Sequence, residues 1–184
     1  MPCYFAIQAI IVLVLYFLLI SLFFIGWLKT RTDKPDQPRV TTRVSILVPC
    51  RNEATNISEL ATILNNQDYP ANLLEIIWID DHSTDHTDVL VDHWIQKKTN
   101  NHLVVLNGEQ SGKKSALKAG MALATGTLIL LTDADSRPGK RWVSAMVGYF
   151  EQSDSDLILG PVILDPAPTA FQQMQKLEYL SLVA

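Results

Sequence analysis

Five short apolar, largely β-branched runs punctuate the chain: VSILVP (44–49), LEIIWID (74–80), HLVVL (102–106), TLILLT (127–132) and DLILG (156–160). Their apolarity is continuous rather than alternating, which is the pattern of strands buried on both faces, as in a parallel sheet. Helical stripes lie between them. Ile57, Leu60, Ala61 and Leu64 follow i, i+3, i+4, i+7; Leu117, Met121 and Ala124 follow i, i+4, i+7; Trp142, Val143, Met146, Val147 and Phe150 form a third stripe, with Ser136 and Pro138 placed to cap and start it. Strand and helix in alternation predict right-handed crossovers and an α/β fold with a mostly parallel sheet flanked by helices. The polar part of the chain, about 140 residues, is long enough to bury a core without disulfides.

Residues 3–28 carry no charged side chain. Roughly 20 apolar residues suffice to cross a bilayer as a helix. A signal peptide or a buried core helix is the competing reading, but the basic start, short apolar core and small-residue cleavage site of a signal peptide are missing. Residues 3–28 are therefore expected to be a transmembrane helix, with Tyr4 and Trp27 as interfacial anchors. Lys29, Arg31, Lys34, Arg39 and Arg43 follow it, in a polar stretch (29–43) containing Pro35 and Pro38 that reads as a linker. The positive-inside rule then places the globular part in the cytoplasm, behind a single N-terminal span in the cell membrane. Cys3 and Cys50 are too few and too far apart for a metal cluster and suit a reducing compartment. A net charge of -4 argues against a nucleic-acid partner.

Ligands of open parallel sheets bind beyond the carboxyl ends of the strands. Four polar clusters fall there: PCRNE after the first strand, DDHSTD after the second, GKK after the third and DADS after the fourth. Asp133 and Asp135, alternate carboxylates after a strand, could share a hard divalent cation whose other ligands are water and phosphate oxygens, or could form an acidic turn before a helix. Asp80 and Asp81 could accept a nucleobase N–H or ribose hydroxyls, or belong to a capping turn with Ser83, Thr84 or Asp85 as the cap. His82 and His86 have the spacing of a shared helix face, but no further ligands accompany them. The segment around Gly108, Gly112, Lys113 and Lys114 resembles a phosphate-binding loop, yet the glycines are one residue too close and Ser115 arrives one position late for G-x-x-x-x-G-K-[ST]. A lysine at this edge can instead meet a diphosphate as a point charge, and Lys113 is the better placed of the two.

The set VSILVPCRNE, IIWIDDHSTDHT, GKKSALKAG and LILLTDADS, in this order, resembles the family 2 glycosyltransferases, inverting enzymes of the GT-A (nucleotide-diphospho-sugar transferase, Rossmann-like) fold. The resemblance spans residues 44 to about 165 and implies a nucleotide-sugar-binding region over 44–165. It implies that Pro49, Arg51 and Glu53 line the nucleotide pocket and that Asp81 reads the nucleobase, typically uracil. Lys113 would lie near the nucleotide, Asp133 near the ribose and metal, and Asp135 would bind Mg²⁺ or Mn²⁺ directly. The implied reaction transfers a sugar from a nucleotide-diphosphate sugar, such as a UDP-sugar, to a hydroxyl of a lipid, glycan or other acceptor, as in cell wall or polysaccharide biosynthesis.

The family's base belongs to a later acidic motif. After Asp165 the sole acidic residue is Glu178, among packing positions. Residues 166–184 read as the start of a helix leading to an absent acceptor-binding region, so the chain is expected to be a truncated enzyme, inactive alone, with its base beyond Ala184. Three readings compete. A nicotinamide oxidoreductase lacks its G-x-G-x-x-G turn. A phosphoaspartate protein could use Asp80, Asp81 and Asp133, but its phosphatase nucleophile position holds Pro49 and Cys50. A noncatalytic, membrane-tethered nucleotide-sugar-binding or scaffold module shares the same site.

Overall fold

The structure, a computed structural model, describes residues 2–29, 41–96, 100–106, 111–153, 155–160, 162 and 169–181. Most of the expected linker (30–40), Gly108, Asp165 and the side chains of Trp27 and Glu178 lie outside the described residues. The chain divides into two compact units, Pro35–Ile158 and a second made of Met1–Lys34 with Leu159–Ala184.

In the second unit, α1 (Pro2–Lys29) is apolar on every side, and its window Tyr4–Gly26 buries nothing. A helix apolar all round suits lipid or a protein core. It is the one described helix long and apolar enough to cross a membrane. The unit's other helix, α6 (Ala170–Ser181), leaves Phe171 and Met174 exposed.

Pro35–Ile158 is built on four parallel strands in the order β3-β2-β1-β4: β1 (Val44–Cys50), β2 (Leu74–Asp80), β3 (Asn101–Val105) and β4 (Leu128–Leu131). Alternation of side chains divides the core. Val44, Ile46, Val48, Ile76, Trp78 and Leu130 meet α2 (Ala54–Asn65), α3 (Thr87–Ile95) and α5 (Trp142–Gln152) on one face. On the other, Leu47, Ile77 and Ile79 meet α4 (Lys113–Leu123). The chain runs outward from β1 to β2 and β3, then returns to β4 on the far side of β1, so strand order reverses at β1 and β4. That is where open α/β sheets hold ligands.

Four expectations need correction. Residues 156–160 form no strand, because no described segment pairs with them, and Leu157 and Leu159 are exposed. Burial on both faces holds for β1 and β2, whereas Ile129 and Leu131 of β4 are exposed. The buried residues of α4 are Ala116 and Gly120, while Met121 of the expected stripe is half exposed. A Cβ on Gly120 would stand 2.9 Å from Ile79 Cδ1, so close approach to the sheet selects small residues. Finally, α5 begins at Trp142, not near Pro138, because the preceding backbone is engaged by the turn after α2: the Gly139 carbonyl accepts from Gln67 Nε2 and the Lys140 carbonyl from the Asp68 N–H.

Candidate functional site

A cleft of about 440 Å³ opens at the carboxyl edge of the sheet, lined by Pro49, Cys50, Arg51, Glu53, Asp81, Gly112, Lys113, Ala116, Asp133, Ala134 and Asp135. All seven residues singled out in the sequence, Pro49, Arg51, Glu53, Asp81, Lys113, Asp133 and Asp135, meet in it. They come from the ends of β1, β2 and β4 and the start of α4. Lys114 is exposed and is not part of the lining.

The two aspartates after β2 diverge. Asp80 is buried, with Oδ2 accepting the Ser83 N–H. Asp81 lines the cleft: Oδ1 faces His82 Nδ1 at 3.0 Å, Oδ2 accepts the Gly112 N–H at 2.8 Å, and Arg51 stands 3.6 Å away. The His82 hydrogen bond, helped by Gly112 and Ser111, outweighs burial and holds the Asp81 carboxyl below its ordinary range. It is thus a standing acceptor for an N–H group at neutral pH. Sequence reasoning missed all three supports. Gly112 has φ 89, a left-handed conformation that glycine adopts without cost, and this turn aims its N–H at Asp81.

Across the cleft, Lys113 Nζ donates to Asp133 Oδ1 at 2.6 Å. Both side chains are more than half exposed, so the pair contributes little to stability and can be surrendered to a ligand. Among the described residues no group of three or more His, Cys, Asp or Glu could hold a metal ion. Two exposed carboxylates on alternate residues nevertheless fit a hard cation that draws its remaining ligands from water and phosphate.

The turn after β2 serves two helix starts, that of α3 as expected and that of α2. The residue preceding α3 is His86, in a left-handed conformation and without a side-chain cap. Asp85 Oδ1 takes the Thr87 N–H at the start of α3, and its Oδ2 takes the Ala54 N–H at the start of α2.

Residues 45–182 match the family model described as Glycosyl transferase family 2. The chain belongs to that family. Among glycosyl transferase family 2 relatives, it is 29% identical over 154 residues to the probable glycosyltransferase YdaM of Bacillus subtilis, covering 82% of this chain and 36% of YdaM. It is 33% identical over 111 residues to the beta-monoglucosyldiacylglycerol synthase of Nostoc, covering 59% of this chain and 24% of the synthase. The chain thus spans roughly a third or less of these relatives. Among solved structures, mannosyltransferase PcManGT from Pyrobaculum calidifontis, in complex with GDP-Man and Mn²⁺, matches with TM-score 0.60 and 31% identity over 71% of this chain and 39% of its own. TarS of S. aureus in complex with UDP matches with TM-score 0.54 and 27% identity over 60% of this chain and 32% of its own. The expected GT-A fold is therefore present.

Cys50 also lines the cleft but is almost wholly buried, and burial together with Asp80 and Glu53 pushes its thiol up to about 12. Native protein at pH 8 is expected to resist alkylation by iodoacetamide at Cys50 on a timescale at which unfolded protein reacts fully. Mass spectrometry showing rapid native labelling would contradict this.

Proposed function

We propose that the cleft binds the nucleoside diphosphate of a sugar donor, a UDP-sugar in the first instance, for inverting transfer to a hydroxyl of a lipid, glycan or other acceptor. The observation that supports this reading most is the convergence of an ionised acceptor, a lysine and a carboxylate pair in one cleft where strand order reverses. Asp81 accepts the nucleobase N–H. Pro49, Arg51 and Glu53 line the nucleotide, Lys113 meets the diphosphate, Asp133 serves ribose and metal, and Asp135 is the direct metal ligand. When bound there, Mg²⁺ or Mn²⁺ would neutralise charge on the departing diphosphate. PcManGT and TarS, whose solved complexes hold GDP-Man with Mn²⁺ and UDP respectively, support a donor of this class. A carboxylate accepts the N–H donors of uracil and of guanine alike, so Asp81 alone does not choose between them. The base is assigned to no described residue. We place α1 in the membrane with the cleft on the cytoplasmic side.

Calorimetric titration of the full chain in detergent with UDP, GDP and UDP-sugars, with and without Mn²⁺, tests the reading. Metal-dependent binding of one nucleotide is expected, and no nucleotide binding by demonstrably folded protein would overturn it. Binding without sugar transfer by any longer form of the protein would favour a noncatalytic donor-binding module.

A further inference from the structure

Three consecutive backbone N–H groups follow β1, at Asn52, Glu53 and Ala54, and each is taken by a side chain from the loop after β2 or the first residue of α3. The Asn52 N–H donates to Ser83 Oγ at 2.9 Å, the Glu53 N–H to Thr87 Oγ1 at 2.9 Å, and the Ala54 N–H to Asp85 Oδ2 at 3.0 Å. Asp85 also organises its own loop, because Oδ1 accepts both the Thr87 N–H and the Thr87 hydroxyl. In return, Asn52 Oδ1 accepts the Thr84 N–H at 2.8 Å.

A helix leaves its first N–H groups without intrahelical partners. The residue before α2, Glu53, supplies no side-chain cap. The cap comes from Asp85, which is distant in sequence and carries the negative charge that a helix N-terminus favours. Asn52 (φ 56) and His86 (φ 66) hold left-handed conformations at either end of this network, a local cost that the hydrogen bonds offset. The result ties the loop that carries Arg51 and Glu53 to the loop that carries Asp81.

We propose that Asp85 is a positioning residue for donor binding, joining these two loops so that Glu53 and Asp81 address one nucleotide together. The inference rests on the donor reading above. Asp85 itself is outside the cleft lining and acts through the backbone of Glu53 and Ala54 and through the buried Thr87 hydroxyl. In Asp85→Asn one acceptor oxygen becomes an NH₂ donor, which then faces either the Ala54 N–H or the Thr87 donors. At least one hydrogen bond of the junction is lost while size and shape are kept.

The test is a double-mutant cycle of Asp85→Asn with Glu53→Ala in the full chain in detergent, read as UDP affinity in the presence of Mn²⁺. Losing such a hydrogen bond should weaken UDP binding about tenfold. If Asp85 acts through Glu53, the double variant binds no more than about twofold worse than the weaker single variant, whereas independent effects multiply. Wild-type affinity in Asp85→Asn, or multiplying losses, would overturn the proposal. A merely structural Asp85 would lower the melting temperature without that coupling. Should Asp85→Asn fail to fold, Thr87→Val removes the hydroxyl that accepts from Glu53 and must show the same coupling. A Glu53→Ala variant that binds UDP as wild type would instead sink the assignment of Glu53 to the nucleotide, and the inference with it.

Discussion

Asp135→Ala is expected to weaken Mn²⁺-dependent nucleotide binding by at least about 100-fold, while leaving metal-free binding and the melting temperature close to wild type. Loss of a mere outer-shell partner typically costs 10- to 100-fold in metal affinity, and Asp135 is assigned as a direct ligand. The side chain is exposed, and surface substitutions usually stay within about 0.5 kcal/mol. Asp133→Asn should behave differently, because Asp133 already has a partner. It would loosen the charge-assisted hold on Lys113 as well as weaken the metal, so metal-free nucleotide binding would change too. Parallel titrations with and without Mn²⁺ separate the cases. An Asp135→Ala protein that keeps its Mn²⁺ response would remove Asp135 from the metal site, and loss of all binding together with a lower melting temperature would point to damaged folding instead.

The cleft was legible in the sequence because its ingredients obey a local rule. Each polar cluster directly follows an apolar strand, and parallel strands bring all their carboxyl ends to one edge. β1 and β2 were legible because both faces are covered, which makes their apolarity continuous. Long-range partnerships escaped. That Asp85 caps α2 as well as α3 depends on two loops meeting, and nothing in DDHSTD reveals the second destination. The delayed start of α5 depends on Gln67 and Asp68 holding Gly139 and Lys140. The packing face of α4 escaped because large apolar residues do not mark it: close approach to Ile79 and Leu47 demands Ala116 and Gly120. Residues 156–160 show the limit of apolarity itself, since a strand requires a neighbour as well as a composition.

The same geometry makes Gly126→Ala the substitution expected to damage the fold most. A Cβ there would lie 2.5 Å from the Ser45 backbone nitrogen and from Ser45 Oγ, and 2.8 Å from the Val44 carbonyl carbon. These are largely main-chain atoms of the central strand and cannot swing aside. The position also closes a buried polar knot at the amino edge of the sheet. The Gly126 N–H donates to Ser45 Oγ at 2.7 Å, the Ser45 hydroxyl donates to Glu75, and the Thr125 N–H donates to Glu75 Oε1 at 2.6 Å. Burial opposes charge on Glu75, but these hydrogen bonds outweigh it and hold the carboxyl below its ordinary range. A depressed pKa means a contribution to stability that is present at neutral pH and lost as pH falls through the folded-state value. The wild-type knot therefore loosens on acidification, whereas Gly126→Ala is defective already at pH 7. Overpacking costs about 1–3 kcal/mol, and breaking buried hydrogen bonds adds to it, so about 3 kcal/mol or more and a melting temperature lower by roughly 10 °C are expected. The sign is decisive, because Gly→Ala at an open site stabilises by about 0.4–1 kcal/mol through the unfolded chain. A raised melting temperature would show that β4 can move away from β1 without loss. Such movement would reach the cleft: β4 is held in register with β1, with Ile129 beside Ser45, and its next residues lead into Asp133 and Asp135. Protein that remains folded should then lose Mn²⁺-dependent nucleotide binding as well, through displaced carboxylates that the substitution never touches.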